Sequence, residues 1–139
     1  MRKKLVLLVC LLFACPAYAK DFGVGLGFST AGSGISGYAK ANHNSFFQGM
    51  FGLTGPDPFV IVDYGVLTPL GDLSGYVGGG AIIQLGQRNA GLGVHIPFGL
   101  YYQARSLPLM INADIAPGLT VGNNASAFVD LSLGFRFMF

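Results

Sequence analysis

The sequence predicts an all-β fold, namely a closed, up-and-down, antiparallel β-barrel of eight strands that crosses a membrane. Hydrophobic residues make up 52% of the 139 residues and charged residues only 10%. Even so, no run of about 18 apolar residues follows the N-terminal segment, so spanning helices are not indicated. The chain contains 22 glycines, and apolar and polar residues repeatedly alternate with a period of two between turn sequences. This combination is typical of strands that face lipid on one side only.

Residues 1–19 are predicted to be a signal peptide, and residues 20–139 the barrel domain. Residues 1–4 carry positive charges, residues 5–14 form a short apolar stretch, and Ala17-Tyr18-Ala19 fits a small-residue cleavage site. Cleavage after Ala19 would remove Cys10 and Cys15, so the mature chain could form no disulfide bond.

Lipidation of Cys15 is the alternative processing route, because Leu12-Phe13-Ala14-Cys15 resembles a lipoprotein signal. The bulky Phe13 and the proline that follows the cysteine argue against it. Removal of residues 1–19 leaves five basic residues and six aspartates, 5 − 6 = −1. The basic balance of the full chain therefore belongs to the signal, and nucleic acid is not expected as a partner.

Eight segments of the mature chain alternate and are separated by turn residues. Membrane strands need about 9–11 residues, so eight strands would use roughly 80 residues and leave enough for seven connections. Bacterial single-chain barrels have even strand numbers from about eight upward. The predicted strands are residues 22–28, about 35–41, about 46–53, 59–67, about 74–85, 92–102, about 109–119 and 129–139.

The last segment is the most informative. Apolar residues occupy every second position from Val129 to Phe139, and Asp130, Ser132, Gly134 and Arg136 lie between them. In a soluble sandwich, such a terminal strand would be an aggregation hazard. Lipid-facing and lumen-facing residues alternate in this way in a membrane barrel.

The last eight residues also resemble the C-terminal assembly signal of bacterial outer-membrane proteins. The residues that carry the resemblance are Ser132, Gly134, Phe135, Phe137 and Phe139. The resemblance implies recognition by the barrel-assembly machinery and a location in the bacterial outer membrane. In size and pattern the mature chain is similar to small eight-stranded barrels of the OmpA-like and OmpX-like class. Its connections are short at both rims, so the adhesive function of long surface loops does not carry over.

Six ionisable side chains have inward parity and predict a filled polar lumen. Small barrels have an interior that side chains can fill, and buried charges must be paired. Arg136 is expected to pair with Asp63, Asp114 or Asp130, which sequence parity alone does not distinguish. The predicted lumen residues are Lys40, Asp63, His95, Asp114, Asp130 and Arg136.

The function expected from these features is structural or interaction-based, without catalysis, metal or cofactor. A narrow channel is one alternative. A lipid-modifying enzyme is a second, in which His95, an aspartate and Ser132 would supply base, orienting group and nucleophile. A soluble periplasmic lipid-binding barrel is disfavoured, because the polar residues of the last strand would then face outward.

Two further predictions concern the outer surface, which would contact outer-membrane lipid. If Gln84 points inward, small residues such as Gly79 and Ala81 face outward and would permit close approach of a second copy. Homo-oligomerisation is therefore possible. Aromatic residues near strand ends are expected in interfacial girdles, although about half of them could equally be ordinary packing residues: Tyr38, Phe46, Phe47, Phe59, Tyr76, Tyr101, Tyr102 and Phe139.

Overall fold

The computed structural model describes residues 21–86, 91–122 and 125–139, so the predicted signal peptide lies outside the described residues. All regular elements of the described residues are strands, and each lies within a few residues of its predicted position. Their bounds are β1 Phe22–Ser29, β2 Gly32–Asn42, β3 Ser45–Gly52, β4 Phe59–Leu70, β5 Leu73–Gln84, β6 Gly91–His95, β7 Phe98–Gln103, β8 Leu109–Val121 and β9 Ala127–Met138.

The strands form a closed antiparallel barrel. Strands that are adjacent in the chain pair with each other, except β6 and β7, and β1 pairs with β9, which closes the sheet. The segments β6 and β7 both lie between β5 and β8, so the nine segments occupy eight positions. This confirms the predicted closed, up-and-down barrel of eight strands.

Two prolines account for the division of the sixth barrel strand into β6 and β7. The register is the same on both sides of the division, since His95 lies opposite Gly80 and Phe98 opposite Val77. On the side that faces β8, Ile96 N donates to Pro117 O at 3.0 Å, and on the side that faces β5, Gly78 N donates to Pro97 O at 2.8 Å. A proline has no N–H, so neither Pro117 nor Pro97 can donate the second hydrogen bond of its residue pair.

Side chains alternate between the outer surface and the interior as the sequence predicts. Large apolar residues are exposed on the outward face of every strand. Strand β5 contains three consecutive glycines, which interrupt the alternation of apolar and polar residues. Its side chains nevertheless point as expected, since Val77 and Ile83 are exposed and Ile82 is buried.

The interior has three layers along the barrel axis. The layer nearest the chain termini, here called the proximal layer, consists of Tyr38, Phe46, Tyr76, Met110 and Met138. The layer at the opposite end, the distal layer, consists of Met50, Phe59, Ile61 and Ile82, with Phe128 packed against it. The buried polar residues lie between these layers.

Four aromatic residues contradict the predicted girdle. Tyr38, Phe46, Phe59 and Tyr76 are buried inside the barrel, because they occupy inward positions near the strand ends. They pack as layers of the interior, and Tyr38 stacks on Phe46 with ring centroids 5.3 Å apart. Exposed aromatic residues such as Phe47 and Tyr102 do lie on the outer surface.

Candidate functional site

The candidate site is the cluster of polar side chains between the proximal and distal layers. Five of the six predicted lumen residues are buried there, and Arg136 is only 4% exposed. Lys40 is exposed at the end of β2, so its assignment to the lumen is wrong. It has inward parity, but it lies two residues beyond Tyr38 and therefore outside the proximal layer. The buried polar cluster consists of Ser36, Gln48, Asp63, His95, Asn112, Asp114, Asp130 and Arg136.

His95 and Asp63 form the ion pair or hydrogen bond at the centre of this cluster. His95 Nε2 lies 2.5 Å from Asp63 Oδ1. The two residues are on β6 and β4, with Gly80 of β5 between them in register. Positions two strands apart are separated by about 9.6 Å, twice the strand spacing. The contact therefore depends on the absence of a side chain at Gly80.

The same arrangement occurs at two further places. Gly25 lies in register between Ser36 and Arg136, and Arg136 Nε donates to Ser36 Oγ at 2.8 Å. Gly99 lies in register between Tyr76 and Asp114, and the hydroxyl of Tyr76 donates to Asp114 Oδ2. An inward glycine therefore lets two polar side chains form a hydrogen bond across the strand that lies between them. The barrel contains three such positions, Gly25, Gly80 and Gly99.

Arg136 does not form the expected ion pair with an aspartate. Its Nη2 donates to Gln48 Oε1 at 3.4 Å, and Gln48 Nε2 donates to Asp63 Oδ2 at 3.2 Å. The ion pairs within the described ranges are His95–Asp63 and, on the rim, Arg105–Asp72. The prediction of a direct Arg136–Asp pair is wrong, because Ser36 and Gln48 occupy the positions within reach of the guanidinium.

Asp114 and Asp130 complete the cluster at different ends. Asn112 Nδ2 donates to Asp114 Oδ2 at 3.2 Å and to the hydroxyl of Tyr76 at 3.3 Å. Asp130 lies nearer the distal layer, and its Oδ1 accepts hydrogen bonds from the backbone N–H of Thr30 at 3.1 Å and from the Thr30 hydroxyl. Three carboxylates thus share the interior with one guanidinium and one imidazole.

A small cavity lies among these groups. Its volume is about 30 Å³, and Asp63, His95, Ser132 and Arg136 are among the residues that line it. Three buried atoms of the cluster have no hydrogen-bond partner among the residues that the structure describes, namely His95 Nδ1, Asn112 Oδ1 and Arg136 Nη1. A water molecule needs about 10–15 Å³ and two or more polar partners, so the cavity has space for one or two waters.

The chemistry available to this cavity is restricted by the two apolar layers. His95 with Asp63 has the geometry of a base with its orienting group, and Ser132 lines the same cavity. No hydrogen bond joins Ser132 to His95 within the residues described. Nor does any group of three or more His, Cys, Asp or Glu in those ranges form a candidate metal site.

The residues of the predicted assembly signal lie along β9 and just beyond it. Ser132 and Gly134 point inward, and a Cβ at Gly134 would overlap Asn112 Oδ1. Phe135 is exposed on the outer face. Phe139 follows the end of β9, and its backbone N–H donates to Phe22 O at 2.9 Å. The glycine thus has a packing role whether or not the segment is also recognised.

Sequence reasoning missed three polar members of the cluster, Ser36, Gln48 and Asn112. It also missed the hydroxyl of Tyr76, which lies in the proximal layer and donates to Asp114. Inward parity was applied only to side chains that can carry a charge near neutral pH, and these four are uncharged. Asn112 shares the inward parity of Asp114. Tyr76 was assigned to the girdle, although the same parity places it inward.

No protein-family model matches the chain, and neither the curated proteins nor the solved structures include a match. Across residues 21–86, 91–122 and 125–139 there is no helix of the length and hydropathy needed to cross a membrane.

Proposed function

We propose that this chain is an integral protein of the bacterial outer membrane, in which a filled polar lumen supports a structural or interaction role. The observation that carries the proposal is the inverted distribution of polarity. Large apolar side chains are exposed on all eight barrel strands, and polar and charged side chains are buried inside. Water-soluble proteins rarely expose contiguous apolar patches of more than a few hundred Å². Lipid is the solvent that suits this surface.

The position of the charged side chains supports the same proposal. Asp72 and Arg105, which form the exposed ion pair, lie in turns at one rim, and Lys40 lies at a strand end. The outer face between the rims carries no charged residue in the part of the chain described. An apolar band bounded by polar rims is the pattern of a membrane-spanning barrel.

Heat-modifiability of the protein in isolated outer membranes is the direct test. A closed barrel in detergent is expected to migrate anomalously on a denaturing gel until it is boiled, and to co-fractionate with outer-membrane markers. Recovery in the soluble periplasm, with migration unaffected by boiling, would contradict the proposal and favour a soluble binding barrel.

The layered interior favours a sealed barrel over the alternative of a narrow channel. The polar cluster is bounded by the proximal layer on one side and by the distal layer on the other. Wide barrels of 16 or more strands leave an aqueous channel, whereas small barrels fill with side chains. Planar-bilayer recordings are therefore expected to give no conductance steps, and reproducible unitary steps would support the channel instead.

The proposal includes two partners besides lipid. The barrel-assembly machinery would recognise β9 during biogenesis, and a second copy could pack against the outward small residues Gly79 and Ala81. Chemical cross-linking in native membranes tests the second copy, since a purely monomeric pattern would exclude it. An enzymatic role has less support, because the cavity beside His95 is too small for a lipid group.

A further inference from the structure

A second and larger cavity lies at the mouth of the barrel, on the far side of the distal layer. Its volume is about 220 Å³, and its lining is mostly apolar. Ile82 of β5 and Phe128 of β9 form its apolar walls, Gly93 of β6 lines it between them, and the turn residues Thr30 and Ala31 border it. Phe128 packs against the distal layer, and its ring lies edge-to-face against that of His95, with ring centroids 6.4 Å apart.

The mouth cavity is lined by a nearly buried carboxylate, that of Asp130. Asp130 is only 5% exposed, yet it lines both the mouth cavity and the smaller cavity. Its Oδ1 accepts both hydrogen bonds from Thr30. No ion pair of the described residues includes Asp130. A buried, ionised carboxylate is costly unless it is paired, so this site favours a cation.

Shape and apolar lining restrict the class of cation. An apolar cavity of about 150 Å³ is known to bind benzene, so about 220 Å³ has room for one ring and a short ammonium-bearing chain. A ring or alkyl group would contact Ile82 and Phe128. The Phe128 ring adds a face that attracts cations. A hydrated metal ion would gain nothing from these apolar walls.

We infer that the barrel mouth binds a small organic cation, with its ammonium group against Asp130 and its apolar body against Phe128 and Ile82. The site would take a primary or quaternary amine of about the size of 2-phenylethylammonium. The inference does not depend on the membrane location, because it rests on the mouth cavity and on the nearly buried carboxylate of Asp130.

Calorimetric titration of the purified barrel in nonionic detergent tests the inference. The probes are 2-phenylethylammonium and its neutral counterpart 2-phenylethanol, which have the same ring and chain. We expect saturable binding of the cation and at least about tenfold weaker binding of the alcohol, which corresponds to about 1.4 kcal/mol. Equal affinity for both probes, or no saturable binding of the cation, would overturn the inference.

Two variants locate the binding site. Asp130→Asn keeps an oxygen that can accept from Thr30 and removes the charge, so the preference for the cation should disappear. Asp72→Asn removes an exposed aspartate at the opposite rim and should leave the preference unchanged. Loss of binding in both variants, or in neither, would contradict the site.

Gln84→Lys keeps the test decisive if Asp130→Asn does not fold. Gln84 is exposed and lines the mouth cavity, so this substitution should not disturb the interior. The lysine ammonium would compete for Asp130 and should weaken binding of 2-phenylethylammonium by about tenfold or more. Unchanged affinity in Gln84→Lys would contradict the proposed position of the ammonium group.

Discussion

Substitution of Gly80 by alanine is the sharpest test of the glycine arrangement inside the barrel. A Cβ at this position would overlap Asp63 Oδ1, and it would lie 2.7 Å from His95 Nε2 and 2.7 Å from the carbonyl oxygen of Val62. The neighbouring Gly79 faces outward, and a Cβ there would meet nothing within 4 Å. The two glycines are adjacent on one strand, so they form a matched pair.

The expected magnitude follows from the contacts that the methyl group would displace. The carbonyl of Val62 belongs to the β4 backbone and cannot move without the strand, so the Asp63 and His95 side chains must separate. Breaking a buried pair costs about 3–5 kcal/mol, and overpacking of a filled interior adds about 1–3 kcal/mol. We expect Gly80→Ala to lower the free energy of unfolding by at least about 3 kcal/mol. Gly79→Ala should change it by less than about 1 kcal/mol, because alanine only removes backbone freedom there.

Urea titration of the refolded barrel provides the assay, with the folded fraction measured by the gel-migration difference between unboiled and boiled samples. The chain has no tryptophan, so far-UV circular dichroism serves as the second probe. Equal midpoints and slopes for the two variants would refute the argument that Gly80 makes space for the His95–Asp63 contact.

Three further predictions test the membrane surface, the polar cluster and the assembly signal. Val62 and Leu70 are outward residues of β4, 50% and 54% exposed, and eight positions separate them by about 26 Å along the strand. In lipid vesicles, Val62→Arg should therefore cost about 2–4 kcal/mol and Leu70→Arg about 0–1 kcal/mol; equal, negligible costs would indicate a water-facing surface. Arg136→Met should lower the free energy of unfolding by about 3 kcal/mol, because its hydrogen-bond acceptors lose their donor inside the barrel, and an unchanged urea midpoint would contradict this. Phe139→Ser should reduce the amount of assembled protein in cells but should not reduce refolding of the purified chain. The control Phe51→Ser, at an outward position of β3, should reduce neither. A matching refolding defect in Phe139→Ser would indicate an effect on stability instead of on recognition by the barrel-assembly machinery.

The fold was predictable because a barrel strand has a simple period. Alternation assigned all eight barrel strands, and the antiparallel order followed from the short turns between them. The division at Pro97 was not foreseen, since the apolar alternation continues through it. Strand ends were less certain, and β4 continues to Leu70, three residues beyond its predicted end. Turn residues bound a strand only loosely, because pairing with β5 extends to the last residue before the turn.

The interior was predictable only in part, because parity gives the direction of a side chain but not its partner. Inward parity correctly placed Asp63, His95, Asp114, Asp130 and Arg136. The choice of partner depends on the register between strands that are far apart in the sequence, as for Arg136 and Ser36. It also depends on which inward position is a glycine. Neither quantity can be obtained from the alternation of a single strand.

Closure of the sheet by its first and last strands has a consequence for how the chain folds. Gly23 of β1 pairs with Met138 of β9, so the contact that removes both free edges joins the first and last strands of the barrel, 138 − 23 = 115 positions apart in the sequence. Contacts of such long sequence separation form slowly, since loop closure must precede any gain from pairing. Until β9 has been made, β1 and β8 remain unprotected strand edges with apolar faces, which are prone to aggregation. The interval in which these edges are exposed therefore ends only when β9, the twelve residues Ala127–Met138, pairs with β1.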